Sequence, residues 1–189
     1  MKLIYKNKYQ NKKQLIKSRC YWITGLSASG KTTMANMLTS FLKKKNKPVI
    51  QLDGDILRNI FNIKAYSLEE RYSLGLKYSA FCKLIQEHNI NVVIGVVGLF
   101  HKLRNWNRKN IPNYCEIFLN TPMQELINRD PKGIYKGALN GELKNVAGID
   151  LKIELPRNPD VEIIWSRDKS IESTFKEIIK KLKNKKLIF

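Results

Sequence analysis

The stretch GLSASGKTT, Gly25 to Thr33, sets two glycines around four residues and follows them with a lysine and a threonine. This Gly-x4-Gly-Lys-Thr spacing is the P-loop pattern and suits the capture of nucleotide phosphates. Successive backbone N–H groups of such a loop point inward and form an anion-binding concavity, to which Ser27, Ala28, Ser29 and Thr33 also belong. A side chain at Gly25 or Gly30 would obstruct the turn or the approach of the phosphates. Lys31 is placed to reach the β- and γ-phosphates of ATP, and the Thr32 hydroxyl to hold Mg²⁺. The positive end of the helix that begins here adds to the attraction. The plainer alternative is an ordinary glycine-rich strand–helix turn.

Further on, DGDILR carries Asp53 and Asp55 on either side of one glycine, with Arg58 behind them. Paired carboxylates facing a phosphate loop suit phosphoryl transfer: one organises Mg²⁺ through water, the other orients or deprotonates an attacking hydroxyl. Asp55 could instead cap the short helix that carries Arg58. Arg58 suits an anionic substrate or a surface ion pair. Arg104 and Arg108 lie four apart on one helical face, for phosphates or for solvent. Arg129, Lys132 and Lys136 fall in a glycine-punctuated polar stretch that reads as a mobile lid closing cations over phosphates.

These residues need a scaffold. Apolar runs predict five strands: CYWIT (Cys20 to Thr24), PVIQL (Pro48 to Leu52), NVVIGVV (Asn91 to Val97), YCEIFL (Tyr114 to Leu119) and VEIIW (Val161 to Trp165). Helical spacing predicts helices over Lys31 to Lys44, Ser67 to Glu87 and Met123 to Asn128. In the first, Met34, Met37, Leu38 and Phe41 share a face. In the last helix Ile171, Phe175, Ile178, Ile179 and Leu182 do so. Alternating strands and helices give an α/β fold with a mainly parallel five-stranded sheet. Ligands then sit beyond the carboxyl ends of the strands, where the carboxylates and the loop fall.

The chain has 189 residues, 43% of them hydrophobic, enough for one domain over 19–189 behind a basic lead-in over 1–18. No apolar run reaches membrane-spanning length and no secretory signal is evident, so the expected location is the cytoplasm. Cys20, Cys82 and Cys115 share no metal-ligand spacing. A net charge of +19 favours polyanionic partners: nucleotides, nucleic acid or an anionic membrane surface. It is equally compatible with solvated lysine runs. Neither zinc-finger spacing nor an RNA-binding aromatic signature is present, which leaves nucleic acid a minor option.

WITGLSASGKTT, LDGDILR, RDPKGIYKGALNGELKNVAGID and LPRNPDVEI together resemble the adenylylsulfate (APS) kinases in order and spacing, from about Cys20 to Ile179. The resemblance implies a P-loop kinase fold with a lid and often a homodimer. It also implies transfer of the γ-phosphate of Mg·ATP to the 3′-hydroxyl of adenosine 5′-phosphosulfate in sulfate activation. By position it makes Asp53 and Asp55 the paired aspartates. Arg58 and Arg71 become holders of the acceptor's anionic end. Arg129 and Lys132 become lid residues, the first at the ATP base. Ile149 and Asp150 match the end of the family's TGID. Departures fall on the acceptor side. Val146 stands where the family's phenylalanine stacks on the acceptor adenine. Leu74 and Leu76 replace an asparagine and an arginine, and Gly98 replaces a serine. A base–aromatic stack is worth ~1–3 kcal/mol. The pattern implies the same transfer to an altered acceptor, such as the cytidine 5′-diphosphoramidate used by a relative in capsule phosphoramidate biosynthesis. APS itself stays open. A catalytically silent nucleotide- or RNA-binding protein is the reading from another class, opposed by intact Lys31, Thr32 and Asp55.

Overall fold

The computed structural model describes residues 17–62, 67–98 and 100–189. The first sixteen residues of the predicted lead-in lie outside these. Lys17 and Ser18 are already tied to the body. The Lys17 N–H donates to Asn89 Oδ1 at 3.0 Å, and the buried Ser18 hydroxyl donates to the Gln86 carbonyl at 3.2 Å.

Five strands, β1 (Cys20–Thr24), β2 (Val49–Asp53), β3 (Asn91–Val96), β4 (Tyr114–Asn120) and β5 (Val161–Ile164), form one sheet in the order β2-β3-β1-β4-β5. Every pairing is parallel. All five residues of β1 are buried, as expected of a central strand covered on both faces. Alternation splits its side chains between two cores. Cys20 and Trp22 join Val92, Ile94 and Tyr114 beneath α3 (Leu68–Glu87) and α4 (His101–Asn110). Tyr21 and Ile23 join Val93, Cys115 and Ile117 beneath α1 (Lys31–Lys44) and α7 (Ile171–Asn184). The three cysteines are free and buried in these cores.

The chain leaves β1 toward β2 on one side, and later crosses from β3 to β4 on the other. The crevice at the carboxyl end of β1 is therefore a topological switch point, the usual ligand position in such sheets. The phosphate loop fills it. There a Cβ on Gly25 would lie 2.5 Å from Ser29 Oγ and 2.9 Å from the Leu119 carbonyl. Gly30 meets no such obstacle; its φ of 91° is what calls for glycine.

Helix starts carry their sequence signals. Ser67 and Glu70 form a reciprocal capping box at the head of α3. The cap of α2 (Gly54–Ile60) is Asp53 rather than Asp55: its Oδ1 accepts from the N–H of Asp55 at 2.8 Å and of Ile56 at 3.3 Å. The predicted lid holds α5 (Met123–Arg129) and also α6 (Ile134–Leu139), a helix the glycine-punctuated sequence had concealed. Leu126, Tyr135 and Val146 form a small core of its own. Tyr135 is fully buried and its hydroxyl donates to the Ser27 carbonyl at 3.1 Å, which pins the lid to the phosphate loop.

Candidate active site

A cavity of about 910 Å³ opens over the carboxyl ends of the strands. Seven lysines and arginines line it against two carboxylates, Asp53 and Asp55, so the field within it favours a polyanion. The phosphate loop from Ser27 to Thr33 forms its floor.

Lys31 turns its ammonium inward, donating to the Leu26 carbonyl at 2.6 Å. Burial pushes its pKa from 10.5 down to about 8, with Asp55 opposing, Lys132 adding repulsion and Asp53 also opposing. Such a lysine gains most from an arriving phosphate, which restores the favourable partner that burial took away.

Asp53 divides its two oxygens. Oδ1 caps α2, while Oδ2 lies 3.4 Å from the Thr32 hydroxyl. Two hard oxygen donors side by side beneath a phosphate loop fit Mg²⁺, which takes one or two protein ligands and completes its shell with water and phosphate. Asp55 is more than half exposed and reaches across the cavity to the lid, where the Lys132 Nζ lies 2.5 Å from its Oδ2. The hydrogen bond from Lys132 holds the Asp55 carboxyl below the usual range, against some desolvation and with help from Arg58 and Lys31.

On the β2–β3 side stand Arg58 and Arg71, with Leu74, Tyr78, Val97, Phe100 and Leu103. The Arg58 Nε is enclosed and has no hydrogen-bond partner among the described residues. A buried donor of that kind is costly unless a ligand completes it, and an anion would do so. Arg71 Nη2 donates to the Asn145 carbonyl at 2.8 Å, joining α3 to the lid's return. The Tyr78 hydroxyl donates to the Gly54 carbonyl at 2.8 Å and fixes the turn between the two aspartates. On the β4–β5 side the Arg129 guanidinium lies 5.9 Å from the Trp165 ring, contacts the Ala28 carbonyl at 3.4 Å and pairs with Glu125 at 2.6 Å.

The structure thus gathers Asp53, Asp55, Arg58, Arg71, Arg129, Lys132 and Val146 around one cavity with the phosphate loop. Ile149 and Lys136 are not part of its wall. Ile149 packs against the lid core, and the backbone N–H of Lys136 bonds Asp130 Oδ2 at 2.9 Å. Asp150 braces the lid from below, accepting from the N–H groups of Asn145 and Val146. Of the aliphatic replacements, Leu74 faces the cavity, whereas Leu76 packs into the core beneath α3 and α4.

Neither Arg104 nor Arg108 is part of the cavity wall; Arg104 is buried, while Arg108 stays 36% exposed at the edge of the same cluster. Both pair with Glu116, a carboxylate 2% exposed in the middle of β4. Their four-residue spacing puts them on one face, and that face looks at the sheet rather than at the cavity. Sequence reasoning also passed over Tyr78, Phe100 and Trp165. Trp165 follows β5 directly and Tyr78 lies four residues after Leu74, so strand ends and helical spacing carried the signal.

A model of the family described as adenylylsulphate kinase matches residues 17–164. A cytidine diphosphoramidate kinase from Campylobacter jejuni is 40% identical over 161 residues, covering 85% of this chain and 94% of that protein. An adenylyl-sulfate kinase from Gloeothece citriformis is 35% identical over 142 residues, covering 75% of this chain and 81% of its own length. Among solved structures, the Mycobacterium tuberculosis APS kinase in complex with AMPPNP and APS superposes with a TM-score of 0.81 at 31% identity, covering 88% of this chain and 98% of that one. With its parallel sheet, phosphate loop and matching lid, the chain belongs to the adenylylsulfate kinase family of P-loop kinases.

Proposed function

We propose that this protein transfers the γ-phosphate of ATP to the 3′-hydroxyl of a 5′-modified pyrimidine nucleotide of the cytidine 5′-diphosphoramidate type. The observation that carries this reading is the contrast between the cavity's two sides. The donor side keeps every charged group phosphoryl transfer needs. The acceptor side presents Leu74 where the resemblance expects an amide, and Val146 where it expects an aromatic ring. The 40% identity to a cytidine diphosphoramidate kinase supports the same direction.

Phosphoryl transfer passes through a loose transition state, so the protein's work is positioning and charge stabilisation. The backbone N–H groups of Ser27 to Thr33 and the Lys31 ammonium hold the β- and γ-phosphates. Arg129 and Trp165 flank the place for the ATP base. Thr32 and Asp53 would hold Mg²⁺, which when bound supplies further neutralisation of phosphate charge. Arg58 and Arg71 bind the anionic 5′ end of the acceptor. Asp55 accepts a hydrogen bond from the 3′-hydroxyl and aims its oxygen in line. A carboxylate held below its ordinary pKa is a weak base, so orientation outweighs early proton abstraction. Lys132 holds Oδ2 of Asp55, which leaves Oδ1 for the 3′-hydroxyl and keeps the lid's ammonium beside the transferring phosphoryl group.

APS is the second reading, supported by the 35% identical adenylyl-sulfate kinase and by the APS-bound structural neighbour. A homodimer and a cytoplasmic location accompany either reading. Among the described residues no helix is long and apolar enough to cross a membrane. ADP release should be measured with Mg·ATP and cytidine 5′-diphosphoramidate, APS or plain nucleoside monophosphates, and the phosphorylated position assigned by phosphorus NMR. The expected result is a kcat/KM for the diphosphoramidate at least ~10-fold above that for APS. Preference for APS would make this a sulfate-activating kinase, and turnover of neither would overturn the kinase reading.

A further inference from the structure

Glu116 sits in mid-strand on β4, in register with Trp22 of β1, where a carboxylate has no water to turn to. Burial raises its pKa, and Arg104 and Arg108 oppose the rise. The Arg104 Nε lies 3.0 Å from Glu116 Oε1, and Arg108 Nη2 lies 3.2 Å from Oε2. Arg108 continues outward to Asp160 Oδ2 and the Asn158 carbonyl, both at 3.0 Å.

A cluster of this kind need not be kept for stability. Well-packed apolar residues in place of a buried ion pair are often neutral or stabilising. What an apolar pair cannot supply is a fork of fixed shape. The far end of that fork leaves Glu116 altogether: Arg104 Nη2 donates to the Gly98 carbonyl at 2.5 Å. From the other side the Gly98 N–H donates to Thr24 Oγ1 at 3.0 Å, the last residue of β1 before the phosphate loop. The connection from β3 to α4 is therefore gripped on both sides of one residue. Val97, just before Gly98, and Phe100, two residues after it, are cavity wall. Phe100 packs edge-on against Tyr72 of α3, with ring centroids 5.7 Å apart.

We infer that Arg104, seated on buried Glu116, is a positioning residue for the acceptor: it fixes Gly98 so that Val97 and Phe100 form the acceptor wall at a set distance from the phosphate loop. The inference rests on the proposed reading of the β2–β3 side as the acceptor half. The grip reaches neither Arg129 nor Trp165, and the Thr24 it does reach is held in β1 by pairing with Val96 and Phe118, so the donor nucleotide should feel its loss far less than the acceptor.

Arg104→Lys keeps a charge opposite Glu116 but has no second nitrogen to donate to the Gly98 carbonyl at the same time. The double variant Arg104→Leu with Glu116→Leu removes both partners of the buried pair, and Arg108, though it loses Glu116, keeps Asp160 and the Asn158 carbonyl. Steady-state kinetics on whichever panel nucleotide the unaltered protein phosphorylates should show the acceptor KM raised about 10-fold or more in both variants, with the ATP KM within about twofold. The double variant should recover the melting temperature of the unaltered protein and still not its acceptor KM. An unchanged acceptor KM would overturn the inference, as would ATP and acceptor KM rising together with a lowered melting temperature, the mark of a merely structural pair. Should the unaltered protein phosphorylate no acceptor, the functional reading fails separately. Hydrogen–deuterium exchange then still tests the grip: the peptide spanning 93–103 should exchange faster in Arg104→Lys while the phosphate-loop peptide does not. Equal rates in that peptide would overturn it.

Discussion

Raising the pH should release the donor nucleotide from this protein well before alkali harms the fold, because of where Lys31 keeps its ammonium. In the free protein that ammonium is turned in on the Leu26 carbonyl, and burial brings its pKa down from 10.5 to about 8. A bound γ-phosphate gives it an anionic partner and keeps it charged across the same range. With a free-state pKa of about 8, the charged fraction falls from ~0.9 at pH 7 to ~0.1 at pH 9. Affinity should therefore fall ~10-fold across that interval, about 1.4 kcal/mol, and each nucleotide bound at pH 9 should take up ~0.9 of a proton.

Unfolding does not imitate this. The folded pKa of Lys31 lies below its unfolded value, so from about pH 8 to 10.5 the unfolded chain binds more protons, and this group's contribution to stability rises with pH. The assay is titration calorimetry with Mg²⁺ and a non-hydrolysable ATP analogue at pH 7, 8 and 9, in two buffers of different ionisation enthalpy. Lys31→Met serves as the control: it should bind weakly and keep only the slope that belongs to the nucleotide's own ionisation. A flat affinity from pH 7 to 9, or the same slope in Lys31→Met, would refute the reasoning.

Asp55→Asn should lower turnover at least ~100-fold with nearly unchanged ATP affinity and melting temperature, since on the proposed reading this carboxylate orients the acceptor hydroxyl, and the cap of α2 is Asp53 instead. Asp53→Ala, by contrast, should cost ~0.5–2 kcal/mol in chemical denaturation through the lost cap of α2, in addition to its effect on activity. Val146→Phe should tighten APS by ~1–3 kcal/mol in equilibrium binding and weaken a pyrimidine acceptor, because Val146 borders the cavity and a ring there can grow toward the base. No change with either nucleotide would mean that the ring is absorbed by the lid core instead.

The scaffold was largely legible because its signals are local. Each of the five strands announced itself as an apolar run, and the capped start of α3 was written in Ser67 and Glu70. What escaped was structure made by distant contacts. Helix α6 is six residues long, too short for periodicity to register, and it stands because Tyr135 is enclosed by the lid core and bonded to Ser27. The inward turn of Arg104 and Arg108 escaped for a related reason. Spacing of four residues defines a face but not what that face meets, and Glu116 within the apolar run YCEIFL was the unread counterpart.

The two halves of the cavity differ in legibility for a physical reason. Phosphate is held chiefly by backbone N–H groups, whose orientation demands glycine at Gly25 and Gly30 and a short fixed spacing, so one contiguous motif records the site. The half of the cavity proposed for the acceptor is lined by side chains from segments far apart in the chain: Arg58 on α2, Leu74 on α3, Phe100 before α4 and Val146 in the lid. Leu74 and Val146 are 3% and 8% exposed, so each also serves a core. An aliphatic residue at such a position satisfies packing whether or not a base lies against it. Loss of an amide or an aromatic ring there says only what the pocket no longer offers. On the inference drawn from the grip on Gly98, what it offers instead follows from where Phe100 stands relative to the phosphate loop, a placement set by an arginine and a glutamate outside the cavity wall.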